Sequence, residues 1–206
     1  MNLYLRLLMT LSRCLLSERI DHRAELVSRF RVWPHDIDAF GHMNNGRYLQ
    51  IMDVARTGWM ARVGVVTCMW QNRWTAVIGG GVVRYRHALR PFQRYEVRTR
   101  LLSWDDRWWY LEHVFFDEAG RQAAIGVSRA GLREGRRWLS TEAMVDALSP
   151  GAVSPEPPEY LARWLVLEEE MHEHSFRPEG DELVLVPGTL TETTALRDRP
   201  VAETAR

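Results

Sequence analysis

The sequence predicts an α+β domain in which an antiparallel sheet wraps one long central helix, with further helices towards both ends of the chain. Three observations predict it. Tyr48, Met52, Ala55, Trp59 and Val63 recur at helical spacing, in a stretch apolar on more than one face, as a helix enclosed by a sheet must be. Four strand-like segments follow, and tight turns join the last three, which makes an antiparallel meander. The 206 residues suffice for one well-packed domain with short extensions and not for two ordinary domains.

Taken in order, the chain opens with MNLYLRLLMTLSRCLLSERI, in which Leu5, Leu8, Leu11 (or Ser12) and Leu15 fall on one helical face. An amphipathic helix is expected within residues 1–22. Arg6 and Arg13 interrupt its apolar runs, so no spanning length of apolar residues forms, and no small-residue cleavage site follows. Packing on the domain or on a partner subunit is one reading of this helix. Peripheral contact with a membrane through residues 1–20 is the other. Phe30 to Trp33 reads as a short strand stopped by Pro34, which has no N–H for a ladder. The polar run HDIDAFGHMNN then leads into the long helix, with Asn44 or Asn45 as its N-cap and Gly64 as its terminator.

Strands are expected at Val77–Leu89, Gln93–Trp104, Arg107–Phe116 and Arg121–Arg133. In the second of these, Tyr95, Val97, Thr99 and Leu101 alternate with Arg94, Glu96, Arg98 and Arg100, a half-buried strand. Gly79-Gly80-Gly81 marks a bulge or a close backbone approach beside the central helix. A short helix follows Ser140, SPGAVSPEPPEY is a proline-rich linker, and Glu159–His174 forms a last helix. The tail is expected to be poorly ordered beyond Pro187. The expected organisation is therefore a helix in 1–22, the sheet domain in 23–150, and a linker, helix and tail in 151–206.

Composition excludes several chemistries. All 27 basic residues are arginine, so no lysine is present for a Schiff base, a pyridoxal cofactor or a phosphate-binding loop. Acidic and basic residues balance at 27 each, and no global field recruits nucleic acid. Cys14 and Cys68 cannot make a disulfide framework, and the chain reads as cytoplasmic, with the inner membrane surface as its alternative location. His172 and His174 lack a second ligand pair at metal spacing, so no metal or other cofactor is expected. The nine tryptophans imply a thick core or a large interface.

The richest polar cluster is His35 to Asn45, between a strand end and a helix start. Amides and a partial positive charge at a helix N-terminus suit a developing oxyanion, and a neighbouring carboxylate can activate water or attack directly. A thiolate leaves readily, so one carboxylate with helix amides is adequate for a thioester and poor for an amide. Loop turning and helix capping would also account for such a run, and capping by Asn45 is compatible with work by Asp38.

The run DIDAFGHMNNGRYLQIMDVAR resembles the Asp-x-Asp-x-x-Gly-His-x-Asn-Asn-x-x-Tyr signature of hotdog-fold acyl-CoA and acyl-carrier-protein thioesterases. The nearest group is the 4-hydroxybenzoyl-CoA-thioesterase-like set called thioesterase superfamily members. The similarity extends from about Phe30 through Arg133, through RYRHALRPFQRYEVRTRLLSWDDR, with echoes in PPEYLARW. It implies a hotdog fold and an acyl-CoA or acyl-carrier-protein substrate. It also implies catalysis by Asp38 with His42, and substrate contact at Asn44, Asn45, Gly46 and Tyr48. Asp36 matches the first acid of the signature, which in the family is more often structural. Phe40 stands where plant acyl-carrier-protein enzymes have asparagine, and the 4-hydroxybenzoyl type lacks the His-x-Asn-Asn run. Animal relatives carry a membrane-associating N-terminal segment.

A lone sheet of this kind leaves an edge and a helix flank open, so a homodimer or a dimer of dimers is expected. The acyl group would enter between the central helix and the partner, against Tyr48, Met52, Trp59 and Trp74. A hydratase is a rival reading, but its Asp-x-Asn-Pro-x-His spacing is absent. A non-catalytic, membrane-associated acyl-binding protein of the same fold is the rival of a different class.

Overall fold

In the computed structural model, residues 3–173 are described. The expected helix α1 spans Leu3–Leu15, β1 Leu26–Arg31, α2 Asn45–Val63, α3 Val65–Asn72, β2 Thr75–Tyr85, β3 Arg94–Trp104 and β4 Trp109–Asp117. After them come β5 Gln122–Glu134, β6 Arg137–Trp138, α4 Thr141–Leu148 and α5 Glu159–Glu173. The chain divides into two compact units at Pro158/Glu159. The second unit contributes α5, whose first turn carries an Arg163–Glu159 ion pair. His174 and the tail expected beyond Pro187 lie outside the described residues.

All six strands form one antiparallel sheet in the order β1-β3-β4-β5-β2, with β6 paired to the end of β5. The meander β3–β4–β5 forms as its turns predict. Asp117 makes the second turn: its carboxylate accepts the amides of Ala119 and Arg121 at 2.9 Å each. Burial opposes the charge on Asp117, but those amides and the Arg121 guanidinium outweigh it and hold its carboxyl below the usual range. β2, reached through α2 and α3, crosses to the far edge and pairs β5, from Thr75↔Arg133 to Tyr85↔Ala124. Its other edge pairs with no strand among the described residues.

β3 alternates as expected: Tyr95, Val97, Thr99 and Leu101 are buried, and Arg94, Arg98 and Arg100 are exposed. β1 begins earlier than predicted and ends sooner, at Arg31. Val32 is fully buried and bonds Gln93 and Phe92 at 2.9 Å each, in a local pairing just past the strand. Three elements were not expected: a 3-10 turn at Pro34–Asp36, α3, and the two-residue β6. The triple glycine does carry a bulge, between Ile78 and Gly80. Its close neighbour is not the helix but the Trp108 ring, 2.4 Å from where a Gly79 side chain would begin. The glycine that meets the central helix is Gly126, whose absent Cβ leaves room for the Met52 sulfur.

Asn44 caps α2 by accepting the Gly46 amide at 2.8 Å, and Gly64 ends it at φ 96, a left-handed conformation that favours glycine. Asn45 is thus the first helical residue and not the cap. Between those ends α2 is buried on nearly all sides, and its one exposed flank carries Leu49, Gln50 and Asp53. The core has two clusters along this helix. One holds Met43, Tyr48, Ile51, Met52, Leu89 and Phe115, near the start of α2. The other holds Trp59, Trp104, Trp109, Leu111 and Met144, near its end.

The N-terminal helix packs on α2 through a face that the leucine spacing does not indicate. Arg6 and Cys14 are buried, and Thr10 and Cys14 lie against Gly58, where a Cβ would sit 2.7 Å from the Thr10 methyl. Tyr4, Leu5, Leu8, Met9, Leu15 and Leu16 are exposed instead. Of the predicted stripe only Leu11 joins the core. Burial raises the Cys14 thiol, against the opposing charge of Arg62. Cys68, on α3, is half-buried. No helix among the described residues is long and apolar enough to cross a membrane.

Candidate active site

The loop from Trp33 to Asn44 folds back on itself, which is why its polar residues gather. Ile37 and Met43 form an isolated antiparallel bridge, and inside it Asp38 N–H donates to the His42 carbonyl at 3.0 Å. Gly41, at φ 81, closes the turn by donating to the Asp38 carbonyl at 3.1 Å. The loop is fastened to the core because Met43 N–H donates to Leu89 O at 2.9 Å, and Met43 is itself buried.

Asp38 keeps 17% of its side chain exposed and His42 keeps 40%. One carboxylate oxygen accepts the Phe40 amide at 2.9 Å; the other lies 3.4 Å from His42 Nδ1. Phe40 projects into solvent at 84% exposure and its ring stacks on the His42 imidazole, 6.2 Å between centroids. The carboxylate is therefore oriented by an amide on one side and an imidazole on the other.

Asn44, Asn45 and Gly46 are exposed at the start of α2. Gly46 N–H is taken by the Asn44 side chain and Arg47 N–H by the Asn44 carbonyl at 2.9 Å. Tyr48, fully inside, meets Tyr85 edge-on at 5.1 Å and tilts against Phe115. Burial raises the Tyr48 phenol, outweighing a hydrogen bond from the Leu89 backbone, so it stays neutral. Met52 packs in the same cluster beneath the loop.

Trp59 and Trp74 are not brought to this place. Trp59 is buried in the second cluster, with Nε1 donating to Ala24 O at 3.1 Å and its ring edge-on to Trp109. Trp74 lines an open depression of about 720 Å³ with Val66, Met69 and Trp70, at α3. A second depression, of about 730 Å³, lies between Arg31, Tyr95 and Glu118. Neither is lined by Asp38.

Three residues at the loop were not signalled by the sequence. Tyr85 OH donates to Asn45 O at 3.0 Å, and Arg47 donates to His35 O at 2.9 Å. Arg6, from α1, pairs with the fully buried Asp36. Tyr85 and Arg6 reach the loop from elements distant in sequence, whereas Arg47 stands in the first turn of α2; only the apolar stretch broken by a charge at Arg6 could have drawn notice. Among the described residues no group of three or more His, Cys, Asp or Glu gathers to hold a metal ion.

The sequence pattern of the thioesterase-like superfamily matches residues 32–165. Protein THEM6 of Xenopus laevis is 36% identical over 136 residues, which cover 65% of this chain and 64% of the frog protein. Protein THEM6 of Danio rerio is 34% identical over 165 residues, 79% of this chain and 80% of the fish protein. The chain thus spans just under two thirds of the frog relative and four fifths of the fish one. The crystal structure of YbaW, a probable thioesterase from Escherichia coli, superposes with a TM-score of 0.56 at 17% identity. That superposition covers 61% of this chain and 96% of YbaW, and shows a shared hotdog fold.

Proposed function

This chain belongs to the thioesterase-like superfamily, and on that premise we propose that it hydrolyses acyl thioesters of coenzyme A or of acyl-carrier protein, with Asp38 driving attack. The observation that carries the reading is the oriented carboxylate of Asp38, 3.4 Å from His42 and only 17% exposed, held by the Ile37–Met43 bridge just before α2.

In this mechanism Asp38 accepts a proton from water as the water oxygen attacks the thioester carbonyl. The carbonyl oxygen becomes an oxyanion beside the start of α2. With the Gly46 and Arg47 amides engaged, the Asn45 amide and the positive end of the helix are what remain to meet that charge. The C–S bond then breaks, the thiolate departs and takes up a proton, and the free acid is released. His42 steadies the ionised carboxylate and relays the proton.

The acyl group would lie along the exposed flank of α2, past Leu49, and would be covered by a second copy of the chain. The edge of β2 that no strand pairs among the described residues, with exposed Ile78, Val82 and Tyr85, supports a homodimer. Tyr48 and Met52 would then form the floor beneath the reacting end.

Thiol release from acetyl-, decanoyl-, palmitoyl- and benzoyl-CoA tests the reading and ranks the acyl groups. Asp38→Asn is expected to lower hydrolysis at least about a hundredfold with the fold unchanged by circular dichroism. Full activity in that folded variant removes Asp38 from the mechanism. The exposed apolar side of α1 favours a second reading, an acyl-binding protein at a membrane surface without turnover. Calorimetric binding of decanoyl-CoA with no thiol released would select it.

A further inference from the structure

We propose that Arg6 of the N-terminal helix is a positioning residue for the Asp38 loop, acting through Asp36; the proposal rests on the thioesterase reading of that loop. Arg6 is 2% exposed and Asp36 is fully buried, and the two side chains form an ion pair between segments 30 residues apart. The same guanidinium nitrogen reaches Arg31 O at 3.3 Å, at the end of β1. The two N–H groups of that one nitrogen serve the carboxylate and the carbonyl together.

Asp36 is the point at which the loop is fixed. Its Oδ2, besides Arg6, accepts the Trp33 amide at 2.8 Å. Its own amide donates to Trp33 O at 2.8 Å, and its carbonyl accepts from Asn44 N–H, also at 2.8 Å. Asn44 is the residue that caps α2. Asp36 therefore joins the strand exit, the N-terminal helix and the start of the central helix, and Asp38 and His42 hang from the turn between those anchors. Oδ1 of Asp36 has no hydrogen bond among the described residues, with Arg47 Nε and His35 Nε2 each 3.5 Å away. Arg6 is the cation in hydrogen-bond contact with this buried carboxylate, and Arg47, 3.5 Å from the other oxygen, compensates it only in part. Loss of Arg6 lets the anchor shift, and the distance from Asp38 to the α2 amides shifts with it.

Steady-state kinetics on the full chain, with the best of the four acyl-CoA substrates, is one arm of the test. Arg6→Met is expected to lower kcat at least about tenfold with KM within about threefold, since sub-ångström misplacement acts on the chemical step. Arg6→Lys, which restores the charge, is expected to regain most of the loss. Hydrogen exchange is the second arm: the Asp38, Gly41, Met43 and Asn44 amides should exchange about tenfold faster in Arg6→Met, with β4 amides unchanged. A folded Arg6→Met with wild-type kcat, or with wild-type exchange in the loop, overturns the proposal. If Arg6→Met does not fold, Arg6→Gln, which keeps a donor and removes the charge, decides. A reduction of at least about threefold in kcat with faster loop exchange supports the clamp, and wild-type values for both overturn it. If the wild-type chain cleaves none of the four thioesters, the thioesterase reading fails by itself, and the exchange arm alone then decides whether Arg6 holds the loop.

Discussion

His113 lies in the middle of a line of polar side chains that crosses the core beneath α2. Its Nδ1 is 3.1 Å from Thr99 Oγ1 and its Nε2 is 3.2 Å from Ser128 Oγ, which Arg56 approaches at 3.3 Å. With the ring neutral, one direction satisfies every member: Arg56 donates to Ser128, Ser128 to His113, and His113 to Thr99. Burial, and then the Arg56 charge, push the imidazole down to about 3. The unfolded chain takes up this proton near pH 6.5 and the folded chain does not until about pH 3. Stability from this group is complete above pH 6.5 and falls as the pH drops towards 3, by roughly 1 kcal/mol per unit. Urea denaturation between pH 7 and 5 is expected to show that slope in the wild-type chain and a shallower one in His113→Gln. Equal slopes would mean that other groups set it. None of this line was legible in the sequence, where Thr99 is one alternating residue and His113 one strand residue; pairing of three strands brings them together. Asp38 and His42 differ, because their contact is local, across one turn, and the family resemblance already names them together.

At the scale of elements, α1 is where periodicity indicated a helix and misassigned its faces. A leucine stripe predicts an apolar contact, but the face turned to α2 carries Arg6, Thr10 and Cys14. Gly58 decides this, since its missing side chain lets the two helices approach most closely at Thr10. The outer face, with Leu5, Leu8 and Leu15, is what we propose rests on a membrane surface. Two substitutions separate the faces. Leu8→Asp is expected to leave the melting temperature within about 2 °C and to abolish pelleting with phosphatidylserine vesicles. Gly58→Val should overpack the contact, costing about 1–3 kcal/mol and several degrees of melting temperature, with pelleting retained if the helix stays formed. Pelleting by Leu8→Asp as strong as wild type would end the membrane proposal. β3, by contrast, shows the expected faces from Arg94 to Leu101, because a strand with one wet side alternates at a fixed period of two; from Leu101 to Trp104, across a bulge, every residue is buried.

For the whole molecule, the open question of covering is posed by β2 and α2 together. Among the described residues nothing pairs one edge of β2 or covers one flank of α2, and both carry large apolar residues: Ile78 and Val82 on the strand, Leu49 on the helix. A second copy of the chain continuing the sheet at β2 would cover them and close the acyl path beside Asp38. Ile78→Lys with Val82→Lys is expected to yield a monomer by analytical ultracentrifugation and to lower hydrolysis at least about tenfold, as charges block edge pairing. A wild-type chain that sediments as a monomer with full activity would exclude the shared site. Trp59 and Trp74, expected along that path, pack at the other end of α2, since a 19-residue helix spans about 28 Å and cannot present both of its ends to one pocket.

By itself the sequence determined what depends on neighbours a few residues apart: the central helix and its stops, and the β3–β4–β5 meander. The family resemblance added the fold and the class of chemistry, since the signature lies in one unbroken run. The tertiary structure alone decided which face of α1 is inside, that β2 crosses to pair β5, that His113 is buried among hydroxyls, and that Arg6 is tied to Asp36. Those contacts join residues tens of positions apart, and their burial is set by packing of whole elements, which no local period in the chain encodes.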